Sequence, residues 1–377
     1  MKRINILAVI GTRPEAVKMF PVVRELRRHP KKFRVKICAT AQHRDLMDSM
    51  FHAFKMVPDI DLDLMRRNQT LNGVLTGVIN GMEDVLTRSK PDLVLVQGDT
   101  TTVLGAALAS FYKGVPVGHI EAGLRSFDLR KPFPEEANRL LVDRISDLLF
   151  APTPVSRKNM HREGLGKSCI YVTGNTSIDA LLWAARRPWR FHEPSLRSLP
   201  RGPLAVVTLH RRESFGAPLR EIFSALVEAA RLFPHLHWVY PVHPNPNVRD
   251  LAREMLGHPR IHLVPPLGYL DFVHLMKRSS FIITDSGGVQ EEAPSLGKPV
   301  LVVRETTERT EFLGKGTRLV GVSGTRLLAA IKNLVKAPPP PSAFRRNPFG
   351  DGHAARRIVQ AIEHRFGLSP HRPANFS

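Results

Sequence analysis

The chain predicts an α/β protein made of doubly wound, mostly parallel sheets, and three observations carry this. Short unbroken apolar runs recur along its 377 residues, as strands buried on both faces require. Several runs stop at a glycine, an acid or a histidine, and the runs alternate with stretches of helical spacing, the alternation of a βαβ chain. The alternation lapses in the Pro- and Arg-rich stretch 187–203, RPWRFHEPSLRSLPRGP, and then begins again, so a chain of this length is expected to hold two domains. Their expected spans are 1–175 and 176–363, with the last helix, near 353–366, and the tail 364–377 returning to the first domain.

Residues 4–10, INILAVI, read as the first buried strand, and the turn from Gly11 to Glu15 leads into a helix over 14–28 with Ala16, Val17, Phe20, Val23 and Leu26 on its apolar face. Pro14 suits the first helical turn, and Pro21 is expected to kink the helix. One glycine stands where the dinucleotide fingerprint needs three, so no NAD site is expected. The helix start can still hold an anion, with Arg13 in the turn and Lys18 one turn on; solvated surface is the plainer reading of Lys18. A strand at 34–40 and a helix at 69–88 follow, then a strand at 92–97 that ends in Gly98, Asp99 and Thr100. After another helix, VPVGHI ends in Glu121, Ala122 and Gly123, and a loop leads to Pro134, Glu135 and Glu136 at the next helix start. Strands at 147–153 and 169–174 complete this half. Two strands thus end in a carboxylate and a third carboxylate pair opens a helix. Open α/β sheets bind ligands at the carboxyl ends of their strands, where carboxylates can move protons. Asp99 and Glu136 also read as helix caps or first-turn acids; three such places in one βαβ stretch favour chemistry.

The second half repeats the plan. Strands are expected at 204–210, 237–244 and 261–267, with a helix over 269–278, and 281–303 reads as strand, glycine turn, helix and strand. Asp285, Ser286, Gly287 and Gly288 form a candidate phosphate cradle, since two glycines let backbone N–H groups approach a pyrophosphate at a helix start. Glu292 can accept hydrogen bonds from ribose hydroxyls or merely complement the helix dipole. His210, at a strand end beside Arg211 and Arg212, can contact a diphosphate or act as acid or base. His119 and His243 are weaker candidates of the same kind. His235 and His237 have a chelating spacing without a third ligand, so no metal site is expected.

The net charge of +21 calls for an anionic partner. The basic residues are spread without a run of five or six, and no zinc-finger spacing or aromatic-rich RNA-binding strand accompanies them. A phosphorylated small molecule is expected, with no nucleic acid and no membrane. Cys38 and Cys169 make no disulfide framework; each sits in an apolar stretch and is expected to be buried, as in a reducing cytoplasm. The run 4–10 is too short for a signal peptide, nothing approaches the ~18 apolar residues of a membrane helix, and a cytoplasmic protein is expected.

The strings GTRPEAVKM, TAQHR, QGDTTT, HIEAGLRS, PFPEEANR, TLHRRES, PVHPN and TDSGGVQEEAPSLGKPVL, with NPFGDGHAARRIV near the C-terminus, resemble the UDP-N-acetylglucosamine 2-epimerase family of the non-hydrolysing bacterial type. The resemblance implies two Rossmann-like domains in a GT-B arrangement with the active site in the interdomain cleft, a homodimer, no cofactor, and UDP-GlcNAc and UDP-ManNAc as ligands. By similarity Asp99, Glu121, Glu135 and His210 match the acid/base set. Arg13, Lys18, Phe272, Ser286, Gly287, Gly288, Glu292 and Arg309 match the UDP contacts. Gln42, Glu136, Arg211 and His243 match positions of an activating second UDP-GlcNAc site that some members have, whereas Asp45 and Asn68 depart from it, so hyperbolic or weakly sigmoidal kinetics are expected. The implied chemistry inverts C2 of the sugar, whose C–H bond no carbonyl acidifies. Elimination of UDP to 2-acetamidoglucal and its re-addition avoids a keto route and needs at least two proton-transfer groups. A hydrolysing 2-epimerase, a GT-B glycosyltransferase and a sugar-nucleotide sensor are the competing readings.

Overall fold

The computed structural model describes residues 3–40, 51, 53–64, 69–166, 169–211, 214–307, 309 and 311–377. They form two units, Met1–Ala180 with Phe349–Ser377 and Leu181–Pro348.

The first unit holds strands β1 (Ile4–Ile10), β2 (Phe33–Ala39), β3 (Ile60–Asp61), β4 (Leu93–Gln97), β5 (Val117–Ile120), β6 (Leu148–Ala151) and β7 (Ile170–Val172), in the order β3-β2-β1-β4-β5-β6-β7. Every pairing is parallel. β1 pairs with β2 from Ile4↔Phe33 to Ile10↔Ala39 and with β4 on its other side from Ile6↔Leu93 to Ala8↔Leu95. The strand order therefore reverses between β1 and β4, where open sheets open a crevice for ligands. Ile6 to Ile10 are all buried, because helices cover both faces. These are α1 (Arg13–Arg27), α2 (Leu71–Ser89), α3 (Thr101–Tyr112), α4 (Glu135–Ile145), α5 (Pro154–Arg162) and the first part of α6 (Thr176–Ala185). α1 runs unbroken through Pro21. Cys38 is buried in β2, but Cys169 is only half-buried, because it leads into the edge strand β7.

The second unit holds β8 (Leu204–Thr208), β9 (His237–Pro241), β10 (Ile261–Val264), β11 (Phe281–Thr284), β12 (Val300–Val302) and β13 (Thr317–Leu319) in the order β10-β9-β8-β11-β12-β13. All its pairings are parallel too. Helices α7 (Ala217–Leu232), α8 (Pro246–Met255), α9 (Tyr269–Arg278), α10 (Gly287–Glu292) and α11 (Gly324–Lys336) complete it. Trp238, Tyr240 and Phe223 fill its core, and the Tyr240 hydroxyl donates to Leu209 O at 2.8 Å. Several strands end before the apolar run does. β10 stops at Val264 because Pro265 and Pro266 lack the N–H a ladder needs, and β8 stops at Thr208, leaving His210 in the turn.

The chain re-enters the first unit at Phe349, a few residues before the last helix that was expected to return, and that unit runs on to Ala180 where 175 was expected. Asn175 N donates to Phe349 O at 2.7 Å. Asp179 caps the returning helix α12 (Ala354–Arg365), accepting from Ala354 N at 3.1 Å and Ala355 N at 2.9 Å, and α12 packs on α1. Among the described residues no helix is long and apolar enough to cross a membrane.

Candidate active site

In the first unit the turns after β1, β4 and β5 meet. Gly11 follows β1, and a Cβ there would lie 2.6 Å from the Thr102 side chain, so this glycine lets the β1 and β4 turns touch. Gly98 follows β4 with φ 84°. Thr100, not Asp99, caps α3, its hydroxyl accepting from Val103 N at 3.3 Å. Asp99 is thereby free of capping. Its Oδ2 lies 3.1 Å from Arg139 Nε, and Asn138 Nδ2 holds its backbone carbonyl at 2.9 Å. Surrounding protein pushes the Asp99 carboxyl above the usual carboxylate range; Arg139 and Lys18 pull against this, and Glu121 and Glu135 add to it. The side chain keeps 33% of its surface, so the rise is less than full burial would bring.

Glu121 is buried and stands at φ 71°, a left-handed conformation that a residue with a Cβ adopts at a cost of about 1–3 kcal/mol and that gathers at functional sites. Its N–H donates to Phe150 O at 3.0 Å. Its carboxylate accepts from Lys18 Nζ at 2.6 and 2.5 Å, from Asn175 Nδ2 at 3.1 Å and from the Gln97 amide. Lys18 is thus paired with Glu121. Glu135 is the first residue of α4 and half-buried. Glu136 turns inward, 1% exposed, with Arg139 NH1 3.1 Å from Oε2 and Phe127 N 3.2 Å from Oε1. Arg13 opens α1 and is half-buried.

His119 is wholly buried, with Nδ1 2.6 Å from Asp143 Oδ1 and Nε2 2.7 Å from Gly98 O. Asp143 also accepts from Gly123 N at 3.0 Å and Arg125 NH2 at 2.7 Å. Burial alone would raise the Asp143 carboxyl, but His119 and Arg125 outweigh it and hold the group below its ordinary value. His119 is therefore a strap between the β4 and β5 turns.

In the second unit the turns after β8 and β11 meet on Asp285, which is fully buried. Its Oδ2 accepts from His210 N at 2.7 Å and Arg211 N at 2.9 Å, its Oδ1 lies 3.0 Å from His210 Nδ1, and its carbonyl accepts from Arg211 Nε at 2.9 Å. With Nδ1 facing this carboxylate, His210 has Nε2 for other work. The exposed His243 ring stacks on His210, centroids 5.5 Å apart, and burial with the neighbouring His210 lowers the His243 imidazole. Ser286 precedes α10, which begins at Gly287. A Cβ on Gly287 would lie 2.7 Å from Cζ of Arg309, whereas Gly288 faces open space. Glycine thus lets the Arg309 guanidinium reach the α10 start, where Arg309 Nε donates to Glu291 at 2.9 Å. Glu292 ends α10 and is 9% exposed, and Phe272 lies half-buried on α9. Gln42, with Asp45 and Asn68, lies outside the described residues.

The sequence reading did not find Glu15, Gln97, Arg139, Asp143 or Asn175. Glu15 alone carries a local signal, the capping-box spacing Thr12…Glu15.

A family model described as UDP-N-acetylglucosamine 2-epimerase matches residues 24–363. The Escherichia coli K12 UDP-N-acetylglucosamine 2-epimerase is 47% identical over 372 residues, covering 95% of this chain and 98% of that protein. The crystal structure of UDP-GlcNAc 2-epimerase from Neisseria meningitidis bound to UDP-GlcNAc matches with a TM-score of 0.86 and 41% identity, over 95% of this chain and 99% of that one. The Methanocaldococcus jannaschii UDP-GlcNAc 2-epimerase in complex with UDP-GlcNAc and UDP matches at 0.79 and 32%, over 96% and 100%. With paired strand-end carboxylates in one Rossmann-like domain and a glycine turn beside an arginine in the other, the chain belongs to the UDP-N-acetylglucosamine 2-epimerase family.

Proposed function

We propose that this chain reversibly interconverts UDP-GlcNAc and UDP-ManNAc without hydrolysis and without a cofactor, as a cytoplasmic homodimer that supplies ManNAc for surface polysaccharides. The observation that carries the chemistry is the contrast between two neighbouring carboxyls. Asp99 is pushed above the usual range, while Glu121 is gripped by Lys18, Gln97 and Asn175. Carboxyls in unlike surroundings divide the labour of giving and taking a proton.

In the proposed reaction a base takes H2, the C2–H electron pair becomes a C1=C2 double bond, and the C1–O bond breaks with its electrons leaving on UDP. UDP oxygen then attacks C1 of 2-acetamidoglucal while an acid delivers a proton to the opposite face of C2. Asp99, Glu121, Glu135 and His210 are the proton-transfer set. The N–H groups at Gly287 and Gly288, with Ser286, Arg13 and Arg309, suit the diphosphate, and Phe272 and Glu292 suit the nucleoside. Lys18, paired with Glu121, is the further cation assigned to UDP. Proton-transfer groups of this kind contribute about 10²–10⁴-fold each.

Incubation with UDP-GlcNAc alone in D2O, followed by NMR, tests the reading. UDP-ManNAc with deuterium at C2 of both epimers is the expected result. Free ManNAc and UDP as main products would move the chain to hydrolysis, and no reaction would overturn the proposal.

A further inference from the structure

Glu15 takes no part in the chemistry above, yet it is 2% exposed at the point where the sheet of the first unit reverses its order. Its Oε2 accepts from Gly11 N at 2.6 Å, and its Oε1 accepts from the Thr12 hydroxyl at 3.0 Å and the Thr100 hydroxyl at 2.8 Å. The groups that face its carboxyl are therefore the Gly11 N–H and the Thr12 N–H and hydroxyl from the β1 turn, and the Thr100 hydroxyl from the β4 turn. A capping box would account for the contact with the Thr12 N–H. It does not account for Thr100, 85 positions away, which also caps α3 and directly follows Asp99. The β1 turn in turn carries Arg13.

We infer that Glu15 is a positioning residue, whose carboxylate ties the turn bearing Arg13 to the turn bearing Asp99 and so sets the distance between the UDP-binding and proton-transferring groups. The inference rests on the epimerase reading for its kinetic consequence, but not for the tie itself. The tie is complete in the anion, which accepts every donor around it. A protonated carboxyl must point one O–H at a neighbour; the N–H groups cannot accept it, and a threonine hydroxyl that accepts it no longer donates to that oxygen. Burial raises the Glu15 carboxyl to about 7 against the opposing hydrogen bonds, so the tie forms across the neutral range as pH rises.

The test compares wild type, Glu15→Gln and Thr100→Val in kcat, KM and Tm from pH 5.5 to 9, with hydrogen exchange at the Gly11 amide. Glu15→Gln keeps the shape but turns an amide NH2 or a single oxygen towards these four donors. Its kcat is expected to fall about 10- to 100-fold, as a small misplacement of reacting groups costs, with KM shifted less than about threefold and a Tm that no longer falls as pH rises through the neutral range. Its pH profile should lose the limb near 7, leaving the one that belongs to Asp99. Thr100→Val should lower kcat in the same sense, and the double variant should lose no more than the worse single one. Wild-type kcat in Glu15→Gln, an unchanged pH limb, or independent losses in the double variant would overturn the inference. Should the wild type not epimerise, the function fails, while faster exchange of the Gly11 amide in Glu15→Gln would still report the tie and unchanged exchange would refute it.

Discussion

The two units share a strand order and differ in what they place at the ends of the strands. In both, a buried carboxyl joins the two turns at which the sheet reverses. In the first unit Glu15 reaches from the β1 side to Thr100 and meets hydroxyls and backbone N–H groups. In the second Asp285 reaches from the β11 side to the backbone of His210 and Arg211 and to the His210 ring. The bracing is alike, but the side chains gathered around it are not. The first unit presents Asp99, Glu121 and Glu135; the second presents a histidine, a glycine turn and Arg309. A common scaffold thus fixes where a side chain can act, and the turn residues decide what it does.

The sharpest way to break this comparison is to neutralise the carboxyls of the first unit. Asp99→Asn, Glu121→Gln and Glu135→Gln should each lose at least about a hundredfold in turnover; retained activity in the NMR assay would remove that residue from the mechanism. Asp285→Asn comes next. It leaves two backbone N–H groups but weakens the hold on His210, and about tenfold or more should be lost, chiefly in kcat, while Gly287→Ala should instead raise KM by displacing Arg309. Steady-state kinetics on the two variants would separate the roles.

A smaller effect concerns stability. Glu15 has a folded pKa raised from 4.5 to about 7, so its contribution is fully present below about 4.5 and is lost as pH rises through about 7. The loss amounts to about 3 kcal/mol at 1.36 kcal/mol per pKa unit. Glu15→Gln should flatten that part of a denaturant-measured stability profile, and an unaltered slope would show that Glu15 is not the group responsible. The smallest expected effect is in the substrate dependence of the rate, which should be hyperbolic or weakly sigmoidal; a steep sigmoid in UDP-GlcNAc would mean an activating site works despite Asp45 and Asn68.

Much of this was legible in the chain. INILAVI is β1 to the residue, since β-branched apolar residues between turn signals leave little choice, and Asp99 and Glu121 stand where apolar runs stop. The choice of cap was not legible, because Asp99, Thr100 and Thr101 are consecutive candidates and only the backbone geometry selects Thr100. Nor was the hold of Lys18 on Glu121, 103 positions apart, which no local period encodes. His119 looked like a possible ligand contact because a histidine near a strand end carries no mark of which face it enters; the partner that buries it, Asp143, comes from α4. The return of the last helix was expected, but its start at Phe349 was not legible, because the loop ahead of the helix carries no mark of the unit it joins.

That return has a consequence for how the protein is made. The first unit is interrupted in sequence, and α12 with its cap on Asp179 is synthesised only after the whole of the second unit. The second unit has all its strands available earlier. A chain cut short before Phe349 should therefore leave the second unit able to fold and the first exposing the α1 surface that α12 covers, so the loss of a late segment is felt at an early one.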